Sequence, residues 1–348
     1  MKIAIDISPL QTGHKVRGVG FYLEYLKRSL LKHYPENDYI FFVQEKEIPQ
    51  DVDLVHYPYF DPFFRTLPLI KKHKTVVTVH DLTPLVFPQH FPAGIKGKLI
   101  WETQKIVLKQ VDAIITDSHA SKKDILKLVG IPDEKVSVAY LAAGEEFRVI
   151  KSSGHKAIKI KYNLPEKFVL YVGDVTWNKN IPRLIQAIQE IDVPIVMIGK
   201  ALIEKNFDTT NQWNKSLVTF HELIKDDNRI IRLGFIPTED VVAIYNLATV
   251  LALPSLYEGF GLPLVEAMQC GCPIVTTDDA SIPEIVDNAA MYVDGYDSHS
   301  IARGIKRVFS DKKLQTKLSI AGLHNVKSFS WKKTAEETIA VYNRVIKS

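Results

Sequence analysis

Residues 254–284 read PSLYEGFGLPLVEAMQCGCPIVTTDDASIPE and follow the apolar run Val250-Leu251-Ala252-Leu253. Four apolar residues in a row, bounded by a turn signal, predict a buried strand. Tyr257 to Leu262 is a tight loop carrying two glycines. Pro263 suits the first turn of a helix, because its fixed φ is already helical. The helix is expected to run to about Gln269 and stop at Gly271, ahead of a second buried strand from Pro273 to Thr276. Strand, glycine loop, helix and strand form one βαβ unit, so the chain is α/β with a parallel sheet.

Such a loop is an anion site. The first amides of a helix lack intrahelical partners, and the helix dipole adds positive character there. Gly259 and Gly261 carry no Cβ, which lets the backbone approach a ligand. A phosphate is the natural guest. Glu258 and Glu266 flank the loop with seven residues between them. A carboxylate does not hold phosphate, but it accepts hydrogen bonds from hydroxyls, which a sugar or a ribose offers in pairs. Phosphate in the middle and hydroxyls on both sides describe a sugar nucleotide.

The pattern Glu258, seven residues, Glu266, inside EGFGLPLVEAMQCGCPIV, closely resembles the signature of the family 4 retaining glycosyltransferases. The glycines, Pro263, Ala267, Gly271 and Pro273 all agree with it. The plainer alternative is a structural strand-loop-helix with solvated glutamates. The resemblance implies the GT-B fold: two Rossmann-like, doubly wound domains facing across a cleft, with the last helix crossing back to the first. On that basis residues 1–155 would form an acceptor-binding domain and 156–328 a sugar-nucleotide-binding domain, with 329–348 returning to the first. Lys151 to Lys161, which includes Ser152-Ser153-Gly154, is polar and weakly periodic, and the boundary is expected there.

Length and composition bound the rest. A chain of 348 residues exceeds one ordinary core, so two domains are the default. No apolar run approaches the ~20 residues that span a bilayer. MKIAIDISPL reads as a first strand rather than a signal peptide. The two cysteines, Cys270 and Cys272, are one residue apart, a poor arrangement for a bridge. They read as buried, reduced thiols of a cytoplasmic protein. A net charge of +4 argues against a nucleic-acid partner.

In the first half, Lys2 to Ile7 reads as a strand, residues 12–20 as a glycine-bearing loop, and Phe21 to His33 as a helix. Gly18-Val19-Gly20 lacks the third glycine of the dinucleotide fingerprint, which disfavours NAD and an oxidoreductase. The resemblance implies instead that Gly18 and Gly20 close over the donor diphosphate; a surface loop is the alternative. Asp51-Val52-Asp53 precedes the strand 54–56 and reads as a strand entry rather than a metal site, so no metal is expected. The aromatic run His56 to Phe64 is either an acceptor platform or a packed loop. The strand Thr75 to Val79 ends in His80-Asp81, where α/β sheets bind ligands. The resemblance makes His80 a contact of the transferred sugar; a core histidine is the alternative. The Phe91–Lys98 loop and the Leu99–Lys109 helix are apolar and basic together and could touch a membrane, with a solvated helix face as the plainer reading. Ser118 or Ser121 is expected to cap the helix 122–129.

In the second half, the strand Phe168 to Val172 leads into Gly173-Asp174-Val175-Thr176-Trp177-Asn178-Lys179-Asn180 and a helix from about Pro182. The family pattern has Arg-Lys-Asn here, with both cations on the diphosphate. This chain keeps Lys179 but has Asn178 in place of the arginine, leaving Arg183, Arg17 and Lys200 as candidates to compensate. Val193 to Ile198 reads as a strand, residues 201–221 as helix, and Arg229 to Leu233 as a strand ending at Gly234-Phe235, whose backbone the resemblance places on the nucleobase. The resemblance also implies catalytic roles for Glu258, Lys179 and His80. Gly173, Asn178, Gly234, Phe235, Gly259, Phe260, Gly261, Leu262 and Glu266 join Gly18, Gly20, Lys179 and Glu258 around the donor, with Glu258 on the sugar and Glu266 on the ribose.

The segments IDISPL, TVHDLTP and SIPEIVDNAAMYVD look most like bacterial mannosyltransferases of O-antigen and exopolysaccharide synthesis. That favours GDP-mannose as donor, a glycan or lipid-linked glycan as acceptor, no cofactor, and a cytoplasmic enzyme at the inner face of the membrane. UDP-sugar donors and a non-catalytic sugar-nucleotide-binding protein stay open. A sugar-nucleotide epimerase of the same fold would not carry the Glu258–Glu266 motif in this form.

Overall fold

The computed structural model describes residues 1–150, 155–225 and 227–348. The chain opens with β1 (Lys2–Asp6), α1 (Gly18–His33), β2 (Asp38–Phe42), β3 (Leu54–Tyr57), β4 (Thr75–Thr78), α2 (Thr83–Val86), α3 (Gly94–Gln110), β5 (Ala113–Thr116), α4 (His119–Val129) and β6 (Val136–Val138). It continues with α5 (His155–Lys161), β7 (Val169–Val172), α6 (Ile181–Ile191), β8 (Ile195–Ile198), α7 (Lys215–Leu223), β9 (Ile230–Gly234), α8 (Thr238–Leu247) and β10 (Val250–Leu253). Then come α9 (Leu262–Gln269), β11 (Ile274–Thr276), α10 (Ile282–Val286), β12 (Ala290–Tyr292), α11 (Ser298–Ser310), α12 (Lys312–Asn325) and α13 (Trp331–Lys347).

These elements form two compact units, residues 1–142 with 329–348, and residues 143–328. Each has a six-stranded, wholly parallel sheet. The strands are short, and β3, β4, β5, β8 and β10 are buried throughout, as in parallel sheets covered by helices on both faces. The first sheet runs β2-β1-β3-β4-β5-β6, so the order reverses between β1 and β3. The second runs β12-β11-β10-β7-β8-β9 and reverses between β7 and β10. Doubly wound sheets bind ligands outside the carboxyl ends of strands at such a reversal.

In the first unit α13 is tied on along its length. Ser330 Oγ caps it by accepting from Lys333 N at 3.2 Å. Trp331 stacks on Tyr25 with centroids 5.2 Å apart. Lys74 Nζ donates to the carbonyls of Val345 and Ile346 at 2.9 and 3.0 Å, satisfying two acceptors of the last turn.

Several local expectations change. The first unit ends at Ala142 rather than 155. Residues 143–150 pack on the second unit: Ile150 N donates to Asn246 Oδ1, Asn246 Nδ2 donates to Arg148 O, and Phe147 meets the Tyr245 ring edge-on. Residues 151–154, on which the expected boundary partly rested, lie outside the described residues. Residues 201–221 are not one helix: only Lys215–Leu223 is α-helical. Asp208 Oδ1 takes Thr210 N and Oγ1, Asp208 O takes Asn214 Nδ2, and Asn211 Oδ1 takes Trp213 N. Those side chains give the backbone a turn in place of a helix. α1 begins at Gly18 and α3 at Gly94, each earlier than expected.

Candidate active site

The order reversal of the second sheet places two loops side by side, residues 173–180 after β7 and 254–261 after β10. Their side chains meet there. Lys179 Nζ lies 2.7 Å from both carboxylate oxygens of Glu258. Ser255 Oγ donates to Glu258 Oε1 at 2.6 Å. Glu258 is only 5% exposed, so its charge is balanced by a close cation and a charge-assisted hydrogen bond rather than by water.

The surrounding backbone is braced. Asn178 Nδ2 donates to Tyr257 O at 3.0 Å, and Leu256 N donates to Asn178 O at 2.7 Å. Asn180, at φ 58°, sends Nδ2 to Pro254 O and Gly295 O. Ser281 Oγ donates to Glu258 O at 2.9 Å and to Phe260 O at 3.1 Å. Gly261 has φ 99°, a left-handed turn that only glycine enters without strain, and it lets α9 start directly behind Glu258-Gly259-Phe260. The result is a carboxylate, an ammonium and a helix N-terminus held in fixed relation.

Glu266 stands in the second turn of α9. Its Oε2 accepts from Tyr245 OH at 2.8 Å. Burial pushes this carboxyl up to about 7; the Tyr245 hydroxyl pulls it down and Glu146 adds to the rise.

Gly173, Gly199 and Gly234 end the neighbouring strands β7, β8 and β9. Gly173 N donates to Ile198 O, and Gly199 N donates to Gly234 O at 3.0 Å. A Cβ on Gly199 would collide with Gly173 O, so these two loops touch backbone to backbone. Gly199 was not among the residues expected from sequence. The signal was present as a glycine at the end of a strand, but its close neighbour, Gly173, is 26 positions away in the chain. Phe235 follows Gly234 and is well exposed at the sheet edge.

The Asn178 side chain does not stand in for an arginine. Its amide nitrogen braces the Tyr257 carbonyl and its oxygen accepts from Thr176 Oγ1 at 2.8 Å, because a short amide reaches the adjacent loop and no further. Arg183, a candidate to compensate, is engaged with Asn180 Oδ1 at 2.9 Å and the Tyr296 ring at 5.5 Å. Lys200 is exposed just beyond β8.

Gly18, Gly20 and His80 belong to the first unit. Gly18 and Gly20 lie in the first turn of α1 rather than in a loop, since Arg17 O already accepts from Gly20 N and Phe21 N. His80 follows β4, and its Nδ1 donates to Asp117 Oδ2 at 2.6 Å. The edge of the imidazole meets Tyr22 at 4.7 Å. Burial works against a charged imidazole here, but the charge and hydrogen bond of Asp117, with Asp81 and the Pro58 carbonyl, outweigh it and raise His80 above its ordinary value. Beneath this pair runs a buried chain: Tyr342 OH to His56 Nδ1 at 2.6 Å, His56 Nε2 to Thr78 Oγ1 at 2.8 Å, and Thr78 Oγ1 to Tyr22 OH at 2.9 Å.

Other expected features resolve plainly. Tyr57 and Phe60 of the aromatic run are core residues, while Phe64 is 70% exposed. Asp51 and Asp53 hold the start of β1, through Lys2 Nζ at 2.6 Å and Lys2 N at 2.7 Å. Ser118, not Ser121, caps α4. Cys270 and Cys272 are buried and free, and burial pushes the Cys272 thiol up to about 12.

Two family models match the chain. The description Glycosyl transferases group 1 covers residues 155–324, and Glycosyltransferase Family 4 covers residues 10–142. The chain belongs to the family 4 glycosyltransferases. This family member is similar to the serotype-specific mannosyltransferase WbdA of Escherichia coli, 28% identical over 283 residues, which covers 79% of this chain and 34% of that protein. It is also 28% identical over 279 residues to the O-antigen chain mannosyltransferase B of Escherichia coli, covering 77% of this chain and 70% of that one. The chain thus spans about a third of the length of the WbdA relatives it matches. Among solved structures, Anabaena Alr3699/HepE in complex with UDP and glucose superposes with a TM-score of 0.76 at 16% identity, covering 99% of this chain and 100% of that chain. At that identity the likeness speaks for the fold, which is the two-domain GT-B fold.

Proposed function

We propose that this chain is a retaining hexosyltransferase that moves mannose from GDP-mannose to a glycan or lipid-linked glycan during cell-surface polysaccharide synthesis. The observation that carries the reading is the Lys179–Glu258–Ser255 cluster at the order reversal of the second sheet, directly before the N-terminus of α9. The names of the mannosyltransferase relatives support mannose. In this reading Glu258 orients the sugar through its hydroxyls, and Glu266 takes the ribose diol. Lys179 spends two N–H groups on Glu258 and has a third for a diphosphate oxygen. Fixed donors of this kind stabilise the negative charge that develops as the C1–O bond of the donor breaks. The acceptor hydroxyl attacks C1 from the same face and passes its proton to the departing phosphate, so configuration is retained without a covalent sugar on the protein.

The test is thermal shift with GDP-mannose, UDP-glucose, UDP-galactose and UDP-N-acetylglucosamine, on the wild-type chain and on Glu266→Ala. A ligand that binds only the folded state raises the melting temperature by mass action. The expected result is a shift with GDP-mannose that Glu266→Ala abolishes, followed by transfer to a mannose-terminated acceptor. A shift confined to UDP-sugars overturns the mannosyl assignment. Binding without transfer to any acceptor favours a sugar-nucleotide-binding protein. A trapped glycosyl-protein adduct would rule out the same-face route.

A further inference from the structure

We infer that Tyr245 is a positioning residue that sets ribose recognition, by holding the Glu266 carboxylate in the pose that accepts from a vicinal diol. The inference rests on the donor reading above, in which Glu266 takes the ribose hydroxyls. α8 leads into β10 and α9 leaves it, so a residue at the end of one helix can meet a residue near the start of the other. Tyr245 and Glu266 are 21 positions apart, and Tyr245 OH donates to Glu266 Oε2 at 2.8 Å. The same hydroxyl lies 3.4 Å from Pro263 O. Its single proton goes to the nearer acceptor, which is also the charged one when Glu266 is ionised. Tyr245 is fully buried, whereas Glu266 keeps part of its surface exposed. The phenol thus supports the carboxylate from the protein side and leaves the exposed side to a ligand.

The phenol is itself held. Phe147 meets its ring edge-on with centroids 6.0 Å apart. The neighbouring Asn246 ties Arg148 O and Ile150 N to α8, both at 2.9 Å, so the segment that carries Phe147 cannot drift. Such a brace matters because the terminal torsion of a glutamate is broad. A diol needs acceptors in fixed relation, and a carboxylate that turns freely loses entropy on binding it. A carboxylate has about four acceptor positions, and the Tyr245 bond uses one while fixing the rest. The bond also favours the ionised form that a diol requires. Burial raises Glu266, Glu146 from the segment after β6 adds to the rise, and Cys270 lies close along α9, while the Tyr245 hydroxyl pulls the carboxyl back down. Burial keeps Tyr245 well above its ordinary value, so it stays a donor across the working pH range.

The experiment is titration calorimetry of the full chain with GDP, 2′-deoxy-GDP, UDP and 2′-deoxy-UDP, on the wild type, Tyr245→Phe, Glu266→Gln and the double variant. Running both bases keeps the outcome independent of which one the donor carries. The wild type should favour the ribonucleotide over its deoxy form by about tenfold, and Tyr245→Phe should cut that preference to about twofold. In Glu266→Gln the preference is already small, and adding Tyr245→Phe should leave it unchanged, because the two side chains act as one unit. Carbon-13 NMR of the Glu266 carboxyl in the free protein reads the pair without any nucleotide. It should titrate at about 7 in the wild type and at higher pH in Tyr245→Phe, since the variant loses the bond that favours the ionised form. An unmoved titration overturns the inference. So does an equal loss of ribo and deoxy binding in Tyr245→Phe, which would make the hydroxyl a structural tie alone. A wild type that binds nucleotides without preferring ribose removes the diol from Glu266 and overturns the inference while leaving a nucleotide site. A wild type that binds none of the four overturns the donor reading itself, and the inference with it.

Discussion

At the residue scale, two carboxyl groups carry readable pH signatures. Glu266 is held at about 7 by burial, against an ordinary value near 4.5. A ribose diol donates to the ionised form, so the competent fraction falls as pH drops through 7. GDP affinity is therefore expected to weaken between pH 8 and 6 more in the wild type than in Glu266→Gln, as read by titration calorimetry. Asp117 acts on His80 through one 2.6 Å hydrogen bond and its charge. Asp117→Asn removes the charge and leaves the burial, so the His80 imidazole should titrate at lower pH in the variant, as followed by NMR. An unmoved His80 would show that Asp117 does not set its protonation.

At the element scale, short side-chain bonds fix where helices begin and end. Asp297, Asp311 and Ser330 cap α11, α12 and α13. Lys74 closes the other end of α13 by taking two carbonyls of the last turn. Lys74→Ala leaves those carbonyls to water and should destabilise the first unit by about 1 kcal/mol. Hydrogen exchange of the amides in the last turn of α13 should rise with it. Exchange unchanged there would mean that the apolar side of α13 alone holds the terminus. The glycine contact between the loops after β7 and β8 belongs to the same scale. Gly199→Ala pushes a methyl into Gly173 O, so it should weaken GDP binding while Lys179 and Glu258 stay chemically intact.

At the scale of the whole molecule, each unit keeps buried polar groups inside its own core. The clearest is His56, which burial, with His80 nearby, pushes down to about 3. A histidine in the unfolded chain titrates near 6.5, so the unfolded state takes up a proton that the folded state refuses. Stability from this site is complete above about pH 6.5 and is lost as pH falls towards 3, at up to about 1.4 kcal/mol per pH unit. The urea midpoint of the first unit should therefore drop between pH 7.5 and 5.5 by more in the wild type than in His56→Gln. Equal drops would show that His56 is not the acid-sensitive group.

The amino-acid order by itself determined β7 to β11 of the second sheet, the loop at Gly259 and Gly261, the helix behind it and the family. Each rests on neighbours in sequence: an apolar run, a glycine, a proline, two glutamates at fixed spacing. It was silent where partners are distant along the chain. Only tertiary structure decided that Lys179 and Glu258, 79 positions apart, form one ion pair, because that depends on strand order. The same holds for Asn178, whose side chain braces Tyr257, and for His80, whose Nδ1 meets Asp117 Oδ2 just past the next strand. Turn-forming side chains at Asp208 and Asn211 overrode the helical reading of 201–221, since a local hydrogen bond competes directly with the helix. Sequence spacing fixes what one element can be; which side chains share their charge is fixed when elements pack.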